Sequence, residues 1–160
     1  MNHLESLAAE YLNWQGYLVR TNIKVGKLPT GGHAMELDVV GYSPKRNYLV
    51  HYETSVDGDS WIERERRFLK KFDNAKKYII AEIFDWLPSA TPIEHIAVCV
   101  THPKARDSVG GGRLLSIDEF VAEVRTKVMA AGKANCNAIS ESFPLLRMLQ
   151  LSHNGYNKAI

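Results

Sequence analysis

The chain has 160 residues, of which 45% are hydrophobic and 24% are charged, and its formal net charge is +2. This length and composition are typical of one globular domain, residues 1–160, with a substantial apolar core. The small net charge neither requires nor excludes a nucleic-acid partner. No apolar run reaches the roughly 18 residues of a membrane span, and the N-terminus lacks the pattern of a signal peptide. We therefore expect a cytoplasmic protein without a membrane partner.

The N-terminal segment predicts a helix followed by a strand. Apolar residues recur at helical spacing through residues 3–15, and Gly16 ends the pattern. Glu5 falls at one edge of the apolar stripe. It can form a capping box with Asn2, and that role does not forbid a second one. Residues 16–25 are rich in β-branched and aromatic side chains, which favours a strand.

Residues 35–55 predict a β-hairpin that carries acidic residues where apolar ones are expected. Residues 44–47 have the composition of a tight turn, and a turn centred there places Asp38 opposite Glu53. Side chains alternate between the two faces of a strand. If this alternation is strict, one face of the first strand carries Glu36, Asp38, Val40 and Tyr42. The other face then carries Met35, Leu37 and Val39.

The pairing of Asp38 with Glu53 predicts a cation between them. Directly opposed side chains lie about 4.5–5.5 Å apart at Cβ, and like charges placed so are destabilising. A divalent metal ion is the simplest way to offset that repulsion. The alternative is that both acids face solvent. His51 lies on the same face as Glu53, where a histidine more often packs or forms hydrogen bonds than binds metal.

A long basic helix follows over residues 61–84, opened by a capping box of Ser60 and Glu63. Basic residues on a helix often form a solvated face, and acidic residues of this helix can pair with them at i,i+4 spacing. The basic residues that flank the apolar stripe are Arg64, Arg67 and Lys71, and Lys76 falls close to the stripe itself.

The remaining chain predicts further sheet and helix. The nearly continuous apolar run at residues 94–101 is typical of a strand covered on both faces, and a helix followed by such a strand predicts a crossover to a parallel partner. Residues 113–152 predict a C-terminal helical extension that completes the domain or forms a dimer contact. Its elements are a short edge strand at 114–117, a helix to about 131 capped by Ser116 or Asp118, and a helix at 140–152.

The order helix, strand, acidic hairpin, basic helix and buried strand resembles the PD-(D/E)XK nuclease superfamily over about residues 3–101. The stretch ESLAAEYLNWQGYLV is similar to the first helix of that family, ELDVVGY to its second motif and LVHYETS to its third motif, E-x-K. The resemblance implies the restriction-endonuclease-like α/β fold, with an αβββαβ core, a mixed central sheet flanked by helices, and extra C-terminal helices.

The resemblance also implies a metal site. Asp38 and Glu53 would be ligands of Mg²⁺ or Mn²⁺, the Thr54 carbonyl a further ligand, and Glu5 would lie at the edge of the site. Mg²⁺ needs only a few carboxylates besides water and substrate phosphates. Such an ion can activate a water for in-line attack on a phosphodiester.

One departure from the family pattern is central. Ser55 stands where the family has lysine, and a hydroxyl cannot stabilise developing negative charge as an ammonium does. Another cation would have to reach the site. Lys71 of the basic helix is the first candidate, and Lys76 is the second.

The function implied is a magnesium-dependent endonuclease, a hydrolase of phosphodiester bonds with DNA as the expected substrate; a homodimer would suit cleavage of both strands. One alternative is a catalytically reduced member of the same fold that binds nucleic acid or serves in assembly. Another is an unrelated α/β protein. The expected catalytic residues are Glu5, Asp38, Glu53, Ser55 and Lys71, and the expected nucleic-acid contacts are Arg64, Arg67 and Lys71.

Overall fold

The structure, a computed structural model, describes residues 2–153 and is an α/β fold built on a six-stranded mixed sheet. The predicted α/β class and mixed sheet are confirmed. No helix in the described part is both long enough and apolar enough to cross a membrane. The elements in chain order are α1 (His3–Trp14), β1 (Leu18–Lys27), β2 (His33–Ser43), β3 (Tyr48–Ser55), α2 (Trp61–Tyr78) with a π-helical continuation (Ile79–Ile83), β4 (Ile93–Cys99), β5 (Ser108–Val109), β6 (Gly112–Ser116), α3 (Ile117–Ala130) and α4 (Pro144–His153).

The sheet runs in the order β1-β2-β3-β4-β6-β5. The first three strands are antiparallel, β4 is parallel to β3, and β6 is parallel to β4. The connection through α2 is therefore the crossover that the sequence predicts. The strand predicted at 114–117 is present as β6, but the prediction that it forms the edge of the sheet is wrong. The two-residue β5 pairs antiparallel with β6 and takes the edge instead.

Helices cover both faces of the sheet. Helices α1, α3 and α4 pack on one face, and α2 packs on the other. The layer under α1, α3 and α4 includes Leu7, Leu12, Val39, Val50, Tyr52, Ile96, Phe120 and Leu146. The layer under α2 includes Val25, Leu37, Val40, Leu49, Phe68, Phe72, Ala75 and Ala97.

Three helices begin with a capping box, in which the cap side chain and an acidic residue three positions later satisfy each other's backbone N–H. The boxes of α1 and α2 confirm the sequence prediction, and the structure selects Ser116 as the cap of α3. The pairs are Asn2 with Glu5, Ser60 with Glu63, and Ser116 with Glu119.

The β2–β3 hairpin has the predicted register, from Ser43 opposite Tyr48 to Val39 opposite Tyr52. The predicted alternation along β2 is wrong, because Leu37 packs under α2 whereas Val39 packs on the other face. Val40 lies under α2 as well, so the strand changes face between Leu37 and Val39.

The change of face coincides with a break in the β1–β2 ladder. Pairing runs up to Thr21 opposite Val39 and resumes at Ile23 opposite Leu37. Asn22, between them, has a φ of 50°, in the left-handed region that strands do not use. Asp38 lies opposite this residue. Because the ladder is broken here, the Asp38 side chain does not take the position that regular alternation would give it on either face.

Candidate active site

The ladder between β2 and β3 ends just beyond Val39 and Tyr52. Backbone N–H groups that it leaves unpaired there donate to acidic side chains. The Thr54 amide donates to Asp38 Oδ2 at 2.8 Å, where a regular ladder would offer a backbone carbonyl. The Asp38 amide donates to Glu53 Oε1 at 3.4 Å. Asp38 and Glu53 are thus brought together at the open end of the hairpin.

Glu5 joins this group from the first turn of α1. Its side chain is buried, at 8% exposure, and accepts from Asn2 Nδ2 at 2.7 Å and from Asn22 Nδ2 at 3.2 Å. The Thr54 hydroxyl lies 3.5 Å from Glu5 Oε1 and accepts from Asn2 Nδ2 at 3.0 Å. Glu5 therefore caps the helix and also lies at the edge of the acidic group, the two roles that the sequence left open.

The pKa values of the two central carboxyl groups, Asp38 and Glu53, are shifted in opposite directions. Burial, and then the negative charge of Glu53, raises the pKa of Asp38 to about 6. Burial would also raise the pKa of the fully buried Glu53, but the hydrogen bond and charge of His51 and the charge of Lys71 outweigh it and lower that pKa. Glu53 is therefore the fixed anion, whereas Asp38 is the carboxylate that gains most from a cation.

Two buried imidazoles lie behind Glu53. His51 Nε2 lies 2.9 Å from Glu53 Oε1, and His51 Nδ1 lies 3.1 Å from His95 Nδ1. Burial, and then the neighbouring His51, lowers the pKa of His95 to about 3, so this ring is uncharged at neutral pH. The ring of Phe72 stacks on His95 at 4.8 Å between centroids.

These contacts fix the direction of one hydrogen bond. A carboxylate only accepts, so His51 Nε2 donates to Glu53, whereas the contact between His51 Nδ1 and His95 Nδ1 takes either direction, according to which nitrogen carries the proton. His95 Nε2 is the one buried side-chain N or O atom without a partner within residues 2–153. The chain holds the Glu53 carboxylate in a single orientation.

Of the two lysines proposed to replace the family lysine, only Lys71 reaches the carboxylates. Its ammonium contacts Glu53 Oε2 directly, and its side chain is 31% exposed. The expectation that Lys76 lies near the apolar side of the helix is wrong, because its side chain is 58% exposed and pairs with Asp73 at 3.4 Å. Position 76 falls on the solvent side of α2, away from Glu53.

A second cation lies beside Ser55. Arg67 Nη2 donates to the Ser55 hydroxyl at 2.8 Å and to Asp57 Oδ2 at 2.5 Å, while that hydroxyl also donates to Asp57. Arg64 is buried and donates to the Asp57 carbonyl at 2.6 Å. Of the predicted nucleic-acid contacts, Arg64 is thus occupied within the protein, whereas Arg67 and Lys71 are partly exposed.

An open cavity of about 300 Å³ borders these groups. It is lined by the end of β3, the loop that follows it, and one side of α2. Its polar walls include Thr54, Ser55, Asp57, Arg67 and Lys71. The cavity therefore offers two cations to an anionic group that approaches the carboxylates.

The donor set suits a hard divalent cation. Carboxylate oxygens are the ligands that Mg²⁺ prefers, and it commonly uses one or two of them with water and substrate oxygens. Within residues 2–153 no group of three or more His, Cys, Asp or Glu side chains is arranged to hold a metal ion. An ion at Asp38 and Glu53 would therefore depend on water and substrate for its remaining ligands. The contacts of Thr54 described above involve its amide and hydroxyl, and the role of its carbonyl stays a prediction.

Sequence reasoning missed three residues around these carboxylates. Asn22 carries a signal, because asparagine is disfavoured inside strands. Asp57 lies in the polar segment between β3 and α2, and nothing in its spacing indicates that it binds Arg67 and Ser55. His95 meets His51 through the parallel β3–β4 register, which depends on the whole crossover and has no local sequence signal.

A comparison with protein-family models matches none of them, and a comparison with curated proteins gives no significant match.

Proposed function

We propose that this chain is a metal-dependent nuclease of the restriction-endonuclease-like type, hydrolysing phosphodiester bonds in DNA. The observation that carries the proposal is the convergence of Asp38, Glu53 and Lys71 where β2 and β3 separate. A half-buried carboxylate whose pKa is raised to about 6 beside an ionised one is a site that attracts a cation. The element order α1, β1, β2, β3, α2, β4 supports the same assignment.

Asp38 and Glu53 would hold the ion, with Glu5 at its margin. When bound, a Mg²⁺ ion supplies an activated water and stabilises the leaving oxygen. The protein's part is to keep both carboxylates ionised and oriented. The His95–His51 chain does this for Glu53, and the Thr54 amide does it for Asp38.

Lys71 and Arg67 would meet the phosphate. Both line the same cavity as Asp57, so an anionic group placed there would compete with Asp57 and Asp59 for Arg67 and with Glu53 for Lys71. Lys71 also touches Glu53, and it is the cation best situated to stabilise charge that develops on the attacked phosphate. Arg67 is shared with Asp57, and its role is to bind and orient the substrate.

The direct test is cleavage of supercoiled plasmid DNA by purified protein with Mg²⁺ or Mn²⁺. Asp38→Asn and Glu53→Gln should each lower the cleavage rate by about 10³-fold, the loss of several kcal/mol of transition-state stabilisation. Glu36→Gln, an exposed acid on the same strand, is the matched control and should leave the rate nearly unchanged. If cleavage survives in both site variants while they remain folded, the proposed site is wrong.

A catalytically reduced nucleic-acid-binding module is the second candidate. It is favoured by Ser55, whose hydroxyl is occupied by Arg67 and Asp57 and supplies no positive charge at the lysine position. Such a module would bind DNA with a steep salt dependence, weakened by Arg67→Gln and Lys71→Gln, and would not cleave it. Binding with no salt dependence would exclude both candidates.

A further inference from the structure

A second cavity lies on the face of the sheet that α1 and α3 cover, opposite the face on which Lys71 of α2 meets Glu53. Helices α1 and α3 pack on this face with a gap between them. Helix α4 closes one end of the gap, where Glu10 Oε2 accepts from the amides of Leu145 and Leu146 at 2.9 and 3.3 Å. The other end stays open as a cavity of about 140 Å³ above the middle of β3 and β4.

Four tyrosines line this cavity. The hydroxyls of Tyr17 and Tyr48 lie 2.6 Å apart and satisfy each other. Tyr52 is different, because it is only 4% exposed and its hydroxyl has no hydrogen-bond partner among the described residues. Among the described residues, the fully buried side-chain atoms that lack a partner do not include this hydroxyl. The hydroxyl therefore keeps access to solvent, through the cavity that it lines. Within residues 2–153 this hydroxyl donates to no group, so its hydrogen is available to an acceptor that enters the cavity.

The charges around the cavity leave positive charge unpaired. Its two carboxylates, Glu94 and Glu123, are both engaged by Arg113, which binds Glu123 at 2.8 and 3.1 Å and lies 3.6 Å from Glu94. Arg46 contacts the Tyr48 hydroxyl. Neither Arg46 nor Lys127 pairs with a carboxylate within residues 2–153. Because one guanidinium is shared by both carboxylates, the lining keeps a net charge of +1, and Arg46 and Lys127 are its two cations outside an ion pair.

We propose that this cavity is a binding site for a small oxyanion, a carboxylate or phosphate whose oxygen accepts from the Tyr52 hydroxyl and whose charge is met by Arg46 and Lys127. The volume limits the ligand to about the size of benzene, which fills a cavity of about 150 Å³. The floor includes Leu12, Val50 and Ile96, so a carboxylate with a compact apolar body fits as well as inorganic phosphate. The site is separate from the proposed nuclease centre and does not depend on it.

The test is a titration of the full chain with sodium benzoate and, separately, with sodium phosphate, without divalent metal and at constant ionic strength set with chloride. Amide resonances of Val50 and Ile96 should shift and saturate with at least one of the two anions. The anion that saturates identifies the ligand class. Tyr52→Phe should raise its Kd by about tenfold, the value of one hydrogen bond to a charged acceptor. Lys127→Gln should also weaken binding, and the exposed Lys104→Gln should not.

Two outcomes would overturn the proposal. One is the loss of the expected binding: if neither anion gives saturable shifts, the cavity holds solvent only, and if Tyr52→Phe leaves the Kd unchanged, the anion does not accept from the Tyr52 hydroxyl. The other is that the shifts appear at Ser55 and Lys71 instead, which would mean that the anion binds at the nuclease cavity. Removing one unpartnered hydroxyl leaves the core volume intact, so Tyr52→Phe should fold, and its melting temperature checks this.

Discussion

The two ends of the β2–β3 hairpin follow different rules. At the turn, the strands pair in regular register, and Leu49 and Val50 are buried on opposite faces of the sheet. At the open end, the ladder stops after Val39 and Tyr52, the strand changes face, and the buried side chain is a carboxylate, Glu53. The turn end is built by backbone pairing and apolar burial, whereas the open end is held together by side-chain hydrogen bonds and charge.

This difference indicates which end has been shaped by something other than stability. A left-handed asparagine in a strand, a half-buried acid whose pKa is raised beside the buried Glu53, and a histidine nitrogen without a partner each cost free energy. Such features concentrate at functional sites because regular structure would be more stable there. The concentration of costs at one end of one hairpin is the physical reason to locate function there.

The largest expected effect at the open end concerns Lys71. If its ammonium stabilises the transition state, Lys71→Ala should lower the turnover number by about 10²–10³-fold while DNA affinity falls by less than about tenfold. Lys76→Ala is the control, because Lys76 lies five positions further along α2 and faces solvent, and it should change neither quantity. Single-turnover cleavage and equilibrium binding would be measured side by side. Equal losses in rate and affinity for Lys71→Ala would make it a phosphate contact only.

The same comparison shows what the sequence can predict. The hairpin register and the capping boxes follow from local signals, namely the turn at Lys45 and Arg46 and the spacing of Asn2 and Glu5. The pairing of Asp38 with Glu53 follows from that register. All of these depend on residues close in sequence or joined by one tight turn.

What could not be predicted depends on distant contacts. The change of face at Asp38 is coupled to Asn22 on a neighbouring strand. The His51–His95 contact requires the parallel register of β3 and β4, and the Arg67 contact with Ser55 requires the angle at which α2 crosses the sheet. Periodicity describes regular elements, so it fails at the irregular open end.

The next effect in size concerns stability at the turn end. Leu49 is fully buried under α2, and Leu49→Ala should lower the free energy of unfolding by about 2–5 kcal/mol. Chemical denaturation at neutral pH measures this. A loss well under 1 kcal/mol would contradict the view that this end is held by apolar burial.

The smallest expected effect is a gain in stability and not a loss, and it concerns Asp38. The pKa of Asp38 is raised from 3.8 to about 6, so the folded chain binds this proton more tightly than the unfolded chain, and ionisation destabilises the fold. The penalty is absent below about pH 4 and complete above about pH 6. Without metal, Asp38→Asn should therefore stabilise the protein at pH 7 by roughly 1–2 kcal/mol after allowance for solvent screening. Its advantage should disappear at pH 4, and a variant less stable than the parent at pH 7 would contradict this reasoning.

The most direct measurement of the central claim is the titration of the Asp38 carboxyl group by NMR, with and without Mg²⁺. Without the ion, the midpoint should lie near pH 6. With saturating Mg²⁺, it should fall well below that value, because a cation between Asp38 and Glu53 favours the ionised form. A midpoint that Mg²⁺ leaves unchanged would mean that no ion binds at this pair, and the proposed metal-dependent nuclease centre would be wrong.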